Sequence, residues 1–302
     1  MALKEIKNKI KATQRTNKVT RAMEAVSAVK MRKTQSSALA DRAYARAALS
    51  ILARLSGSKD LAAHPLVKAR EVRKSALVVI TSDKGLAGAL NSGVIREAER
   101  TAAKRPRESI SIFAVGRKGL EHFSRRGYRI VQAIENKNDD VELSAVESLS
   151  LEVARGFSAG EYDEVVAIYS NFKSTFEQAP TARQLLPLSL PVLEKVVADI
   201  VPEKGKFADL PKIESPAAYT LEADGQDVLS DLVPRLVAIA LYHMLLEGKA
   251  SEHSARMVAM KNASDKSKEV AHDLQRLFNK RRQAAITREV SEIVSGREAL
   301  AA

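Results

Sequence analysis

Cysteine and tryptophan are both absent from the 302 residues. Without cysteine there is no disulfide framework, no thiol catalysis and no zinc–thiolate site; the absence fits a reducing compartment. Aromatic residues make up only 4% of the chain, and none cluster in its basic segments as base-stacking platforms would require. No apolar run approaches the ~18 residues of a membrane span. The basic N-terminus is not followed by the hydrophobic segment of a secretory signal. Glycine and proline are missing from Met1 to Ser56. The stretch Arg235 to Ser295 has no proline and a single glycine, Gly248.

What fills these two stretches is mostly helix-forming Ala, Leu, Met, Glu, Lys, Arg and Gln. As continuous helices they would run roughly 80 Å and roughly 90 Å, whereas a compact globule of this length has a radius of gyration of roughly 19 Å. They must therefore project or break. Gly57 stands where a C-terminal helix cap belongs, and Pro65 follows in the loop. Long helices need a partner for their apolar stripe, and the two ends of the chain supply each other with one. The expected arrangement is an antiparallel two-helix rod on a globular middle; the alternative is a helical hairpin folded into an all-α core. Leu3, Ile6 and Ile10 open the N-terminal stripe, Val19, Met23, Val26 and Val29 extend it, and Tyr44, Ile51, Leu52 and Leu55 close it. In the last helix Ala263, Val270, Leu274, Leu277 and Ala284 follow three-and-four spacing, with Arg281 at a seam position, and Val290 and Ile293 resume out of phase. A seam this thin, rich in Ala, Ser and Thr, suits a rod that other chains also hold.

The net charge is +12. Ten basic residues (Lys4, Lys7, Lys9, Lys11, Arg15, Lys18, Arg21, Lys30, Arg32, Lys33) face only Glu5 and Glu24 in the first 33 positions. Such a surface calls for an acidic partner: nucleic acid, anionic lipid or acidic protein.

Between the terminal stretches the pattern alternates. Ala76–Thr81, Ser109–Val115 and Glu164–Tyr169 read as buried strands. Arg129–Ala133 reads as a short strand and Ala182–Leu186 as an edge strand before Pro187. Val94–Lys104, a segment from Gly116 to Phe123, and Ser144–Ser158 read as helices. This alternation predicts an open α/β layer with parallel strands. Pro187–Pro216 holds five prolines and reads as a long connection with one short helix. The final helix is expected to start near Asp227, with Pro234 close to its first turns or kinking it.

No catalytic constellation emerges. Gly85 and Gly88 give only Gly-x-x-Gly, short of the dinucleotide and P-loop patterns. The five histidines have no zinc-binding spacing, and no Gly-x-Ser-x-Gly elbow occurs. Asp139 and Asp140 are adjacent, which suits a solvated loop better than an acid–base pair. Neither a cofactor nor a metal is expected. A basic helical nucleic-acid-binding or scaffold protein stays open as the rival: charge favours it, and the lack of recognition motifs weighs against it.

Particular strings go further. Leu3-Lys-Glu-Ile-Lys-Asn-Lys-Ile10, Thr20-Arg-Ala-Met-Glu-Ala-Val26, Lys30-Met-Arg-Lys33, Ser82-Asp-Lys-Gly-Leu-Ala-Gly-Ala-Leu-Asn91 and Gln184-Leu-Leu-Pro-Leu188 resemble the gamma subunit of F-type ATP synthases. So do Ala255-Arg-Met-Val-Ala-Met-Lys-Asn-Ala-Ser-Asp265, Phe278-Asn-Lys-Arg-Arg-Gln-Ala-Ala-Ile-Thr-Arg-Glu289 and Glu292-Ile-Val-Ser-Gly296. The resemblance spans nearly the whole chain in order. It implies an α/β fold: a long antiparallel coiled coil of N- and C-terminal helices plus a central Rossmann-like open α/β domain, divided as 1–57, 58–225 and 226–302. It implies a non-catalytic rotor shaft that works with three alpha and three beta subunits, an epsilon subunit and a membrane c-ring, with no nucleic acid. By the same resemblance, Arg21, Met23 and Lys30 meet the beta lever loops, and Arg256 matches a shaft arginine. Arg282, Gln283, Thr287 and Glu289 match a polar cluster that catches beta, and Tyr219 and Glu222 fall near the c-ring. Arg281 departs from the family's alanine there, and the cysteine-bearing insertion of chloroplast relatives is missing. The chain opens directly on the shaft helix, so the expected location is the cytoplasmic side of a bacterial inner membrane, peripheral through the complex.

Overall fold

A computed structural model describes residues 2–40, 59–136, 141–189 and 225–301. Helix α1 (Leu3–Ala40) is followed by a short helix α2 (Lys59–Ala63), then β1 (Ser75–Ile80), α3 (Leu90–Ala102), β2 (Ile110–Val115), α4 (Arg117–Arg125), β3 (Arg129–Ile134), α5 (Leu143–Ser158), β4 (Glu164–Phe172), β5 (Gln178–Leu186) and the final helix α6 (Gly225–Ala301). At 77 residues, α6 is about 115 Å of continuous helix. The chain forms two compact units: Met1–Val26 with Met257–Ala302, and Ser27–Arg256.

The first unit is the antiparallel helix pair. On α1 the buried and half-buried positions are Leu3, Ile6, Ile10, Thr13, Asn17 and Thr20, reaching Met23 and Glu24. On α6 a matching row runs through Met257, Met260, Ser264, Ser267, Ala271, Leu274 and Phe278, with Val258, Ala259 and the expected seam residue Ala263 half-buried beside it. Both rows alternate steps of three and four, the spacing of a coiled-coil seam. Asn17 Nδ2 donates to the Ser264 carbonyl at 2.6 Å and to its hydroxyl oxygen at 3.1 Å. That contact fixes the register and brings Ile10 level with Ala271, Ile6 with Leu274 and Leu3 with Phe278.

The stripe expected to continue through Val19, Val26 and Val29 lies outside: Val19 is 58% exposed, and the other two are exposed as well. The reason is geometric. Nine residues, about two and a half turns, separate Ile10 from Val19, which puts Val19 on the opposite face. The seam keeps its phase instead and becomes polar. On α6 the seam runs one residue later than expected, through Ala271, Phe278 and Ala285 rather than Val270, Leu277 and Ala284; Leu274 is common to both. Arg281 is exposed. Tyr44, Ile51, Leu52 and Leu55 fall outside the described residues.

In the second unit the sheet order is β3-β2-β1-β4-β5. The first four strands are parallel, and β5 runs antiparallel to β4. The expectation was a layer of parallel strands with an edge strand at Ala182–Leu186; Phe172 and Gln178 are joined by a connection too short for a crossover, so that edge strand returns as an antiparallel hairpin. Pro180 is tolerated because β5 is an edge. One face of the sheet carries Val78, Phe113 and Tyr169 against Val153 and Phe157 of α5 and Val237, Leu241 and Met244 of α6. The other packs Leu77, Val79 and Ile112 against Val94 and Ala98 of α3 and Phe123 of α4.

Pro234 lies inside α6, which continues through it. Part of α6 is, contrary to expectation, long and apolar enough to cross a membrane by length and composition. Its apolar residues Val233, Leu236, Val237, Ala240, Leu241 and Leu245 are buried on the sheet, so here they form the core of the α/β unit. At Gly248 the helix comes close to the sheet: a Cβ there would stand 3.2 Å from the Ile80 side chain at the end of β1.

Candidate functional site

Open α/β sheets bind ligands outside the carboxyl ends of their strands, where the strand order reverses. Here the reversal falls between β1 and β4. The loops at that edge are braced to one another. Asp83, just after β1, accepts hydrogen bonds from the backbone N–H of Arg117 at 2.6 Å through Oδ1 and of Asn136 at 2.8 Å through Oδ2. Asn136 Nδ2 donates to the Thr81 carbonyl, and Thr81 Oγ1 accepts from Gly119 N–H. Gly116 starts α4 at φ 91°, and a Cβ there would lie 2.1 Å from the Thr81 carbonyl oxygen. Only glycine lets the β2–α4 turn close on β1.

Helix α6 seals this edge. Lys249 Nζ donates to the Asn136 carbonyl at 2.7 Å, and Arg256 donates to the Gly85 carbonyl from Nε at 3.4 Å and from Nη2 at 3.3 Å. Between them Glu252 pairs with Arg256 at 2.7 Å and with Lys249 at 3.8 Å. All three side chains are buried. On the same helix Ser251 Oγ donates to the Ser170 carbonyl and Ser254 Oγ to the Thr175 carbonyl, which ties α6 to β4 and its hairpin. The place where a doubly wound fold would seat a nucleotide is thus taken up by charged side chains of the chain's own last helix. The crevice is closed from within the chain. Among the described residues, no group of three or more His, Cys, Asp or Glu could hold a metal.

In the helix pair the notable feature is the end of α6. Phe278 is level with Leu3, where α1 begins, so α6 beyond that level has no described helix beside it. Ala285 is the last half-buried residue. Past it, Ile286, Val290, Ile293 and Val294 share one face by three- and four-residue spacing. All four are exposed, Ile293 at 72%. Around them Arg288 and Arg297 alternate with Glu289 and Glu292, Arg288 Nε standing 3.7 Å from Glu292 Oε1.

The residues singled out from the sequence fall into separate places. Arg21 is exposed and Met23 half-buried in the helix pair; Lys30 is half-buried further along α1. Arg282, Gln283, Thr287 and Glu289 all lie exposed on the solitary end of α6, where Thr287 Oγ1 donates only to the Gln283 carbonyl. Arg256 differs from the rest, because its guanidinium is taken up inside the α/β unit. Tyr219, Glu222, Asp139 and Asp140 lie outside the described residues. Lys249, Glu252, Asp83 and Asn136 were not foreseen. Lys249, Glu252 and Arg256 share a helix face by spacing, but such a row reads as a solvated stripe until the β1 loop is placed beneath it.

A helix pair with a coiled-coil seam, and an α/β unit whose ligand crevice is filled by its own last helix, define a class of protein that combines paired long helices with a doubly wound sheet. A family model described as ATP synthase matches residues 2–300. The ATP synthase gamma chain of Pelotomaculum thermopropionicum is 38% identical over 299 residues, covering 99% of both chains. That of Roseiflexus sp. is 39% identical over 304 residues, covering 99% of this chain and 98% of the relative. Among solved structures, a chain of the central stalk and c-ring of the Tetrahymena thermophila mitochondrial ATP synthase is 27% identical with TM-score 0.57, over 82% of this chain and 99% of that one. A chain of the Euglena gracilis mitochondrial enzyme shares the fold at TM-score 0.65 and 18% identity, over 99% of this chain and 94% of that one. The chain belongs to the ATP synthase gamma-chain family, the non-catalytic subunit of the central stalk. Nothing supports the nucleic-acid-binding alternative.

Proposed function

We propose that this chain is the central rotor shaft of an F-type ATP synthase. Rotation of an ion-driven c-ring turns it, and its asymmetric helix pair drives three beta subunits, set among three alpha subunits, through their ATP-forming states. The observation that carries this is the solitary end of α6. A helix with an exposed apolar face is costly in water unless something encloses it. The exposed Val19 and Val26 on the outer side of α1 support the same surroundings. Arg21, Met23, Lys30, Arg282, Gln283, Thr287 and Glu289 are the proposed contacts to beta. Arg256 acts from inside, holding the shaft helix to the α/β unit. That unit sits with epsilon on the c-ring, Tyr219 and Glu222 on the ring side, and the whole is peripheral to the cytoplasmic face of a bacterial inner membrane. No cofactor is needed, since the work is mechanical.

The test is the native mass of the complex recovered from detergent-solubilised cells through a tag on the α/β unit. One copy of this chain with three copies each of two larger partners is the expected result. Recovery with nucleic acid, or as a homodimer joined through the long helices, would overturn the proposal. A second check targets the tip. Ile293→Asp should leave the stability of the isolated chain within about 0.5 kcal/mol, as for exposed sites in general, while ATP-driven ion pumping by the complex falls. Undiminished pumping counts against enclosure of the tip.

A further inference from the structure

Glu247 is the one carboxyl group of α6 that lies against the sheet with neither a lysine nor an arginine within ion-pair distance among the described pairs. It is 7% exposed. From β4, Tyr169 faces it, fully buried, near enough for its hydroxyl to act on the carboxyl group. From β5, Arg183 faces it, its guanidinium carbon 5.8 Å from the centre of the Tyr169 ring. Glu247 Oε2 has no hydrogen-bond partner among the described residues. On its own helix, His243 stands one turn earlier and lines the groove toward α5 with Glu147 and Arg235. Lys249 and Glu252 belong to the joint around Asn136 and Gly85. One residue on, Gly248 meets Ile80 of β1, so α6 is pressed close to the sheet here.

We infer that Glu247 is a proton-operated latch seating α6 on β4 and β5. A buried carboxylate with an oxygen left without a donor is expensive, and the neutral acid much less so. With the proton on, α6 seats against Tyr169, and the next turn keeps its Ser251–Ser170 and Ser254–Thr175 bonds. With the proton off, charge is trapped between the helix and the sheet, and the seat loosens. Burial pushes Glu247 up from the ordinary 4.5 to about 7, while Arg183 and the Tyr169 hydroxyl pull the other way. The native state therefore binds this proton more tightly than the unfolded chain. The stabilisation is fully present below about pH 4.5 and is lost as pH rises to about 7. Across that window the unfolding equilibrium constant changes by up to about 300-fold. The latch is independent of the rotor assignment, because it rests on the α/β unit alone.

The experiment compares urea unfolding of the full chain with that of Glu247→Gln at intervals from about pH 5 to about pH 8, the range set by the linkage above. Glutamine keeps the shape and cannot ionise. The variant's stability relative to the wild type should rise with pH by about two powers of ten in the unfolding constant and level off above about pH 7.5. A constant difference overturns the latch. Should the variant fail to fold, infrared spectra of the wild-type chain decide: a buried carboxylic acid C=O band that bleaches near neutral pH is expected, and no such band in mildly acid solution overturns the proposal. Amide hydrogen exchange between residues 243 and 254, corrected for its intrinsic pH dependence, should speed up above neutrality; unchanged protection there also refutes it.

Discussion

Replacing Glu252 by alanine tests whether the joint between α6 and the loops of the sheet is held electrostatically. Glu252 pairs with Arg256 at 2.7 Å and stands 3.8 Å from Lys249. Side-chain exposures are 3% for Lys249, 8% for Arg256 and 7% for Glu252. Deleting the acid takes the 2.7 Å ion-pair partner from the buried Arg256 guanidinium. Breaking a buried pair from one side costs about 3–5 kcal/mol, because the remaining charge has nowhere to go. Here both cations keep a carbonyl acceptor, Asn136 and Gly85, so the lower end, about 3 kcal/mol, is expected. With a urea slope of about 2 kcal/mol/M the midpoint falls by about 1.5 M. Near-ultraviolet circular dichroism follows it cleanly, since the chain has no tryptophan and Tyr162 and Tyr169 are buried in the same unit. Glu252→Ala combined with Arg256→Ala should cost less than the two single changes added, because the second removes one stranded cation. A midpoint shift under about 0.25 M for Glu252→Ala, or strict additivity in the pair, refutes an electrostatic joint.

Two further outcomes follow from the same geometry. Gly116→Ala forces a Cβ to 2.1 Å from the Thr81 carbonyl at φ 91° and should cost about 3 kcal/mol or more; wild-type stability in the same urea titration would show that the turn relaxes freely. Asn17→Leu replaces a seam residue bonded to Ser264 with an apolar one, which should strengthen the helix pair but loosen its register. Spin labels on cysteines introduced at the exposed Lys7 and Lys268, in a chain with no native cysteine, should give one narrow distance in the parent and a broadened distribution in the variant; an unbroadened distribution refutes the register role.

The strands were legible because β-branched runs such as Leu77-Val-Val-Ile80 leave little choice between buried strand and buried helix once their length is counted. Direction was harder. Nothing in Gln178–Leu186 says antiparallel; only the short link from Phe172 does. The terminal helices were legible from missing glycine and proline, yet their seam was misplaced. Val19, Val26 and Val29 look like core because they are apolar, whereas the phase set by Ile6 and Ile10 leads to Asn17 and Thr20. Periodicity decides between them, and it puts the valines outside. The joint was the least legible part. Lys249, Glu252 and Arg256 carry the composition of a surface stripe and become interior only because α6 crosses the ends of the strands at Gly248.

That crossing ties the fold to the function. A doubly wound sheet leaves a crevice where its strand order reverses, and a nucleotide enzyme leaves it open for substrate. Here the loops after β1, β2 and β3 are first locked together by Asp83 and Asn136, then roofed by Lys249, Glu252 and Arg256 from a helix that runs on, unbroken, to Ala301. An open crevice would let α6 hinge where it crosses the sheet. Filled with ion pairs and hydrogen bonds to backbone carbonyls, it ties this part of α6 to the loops after β1 and β3. The same logic accounts for the thin seam of the helix pair. A subunit that must turn within a partner gains nothing from maximal self-adhesion along its shaft, and Asn17 with Ser264 supplies register where leucine would supply only strength.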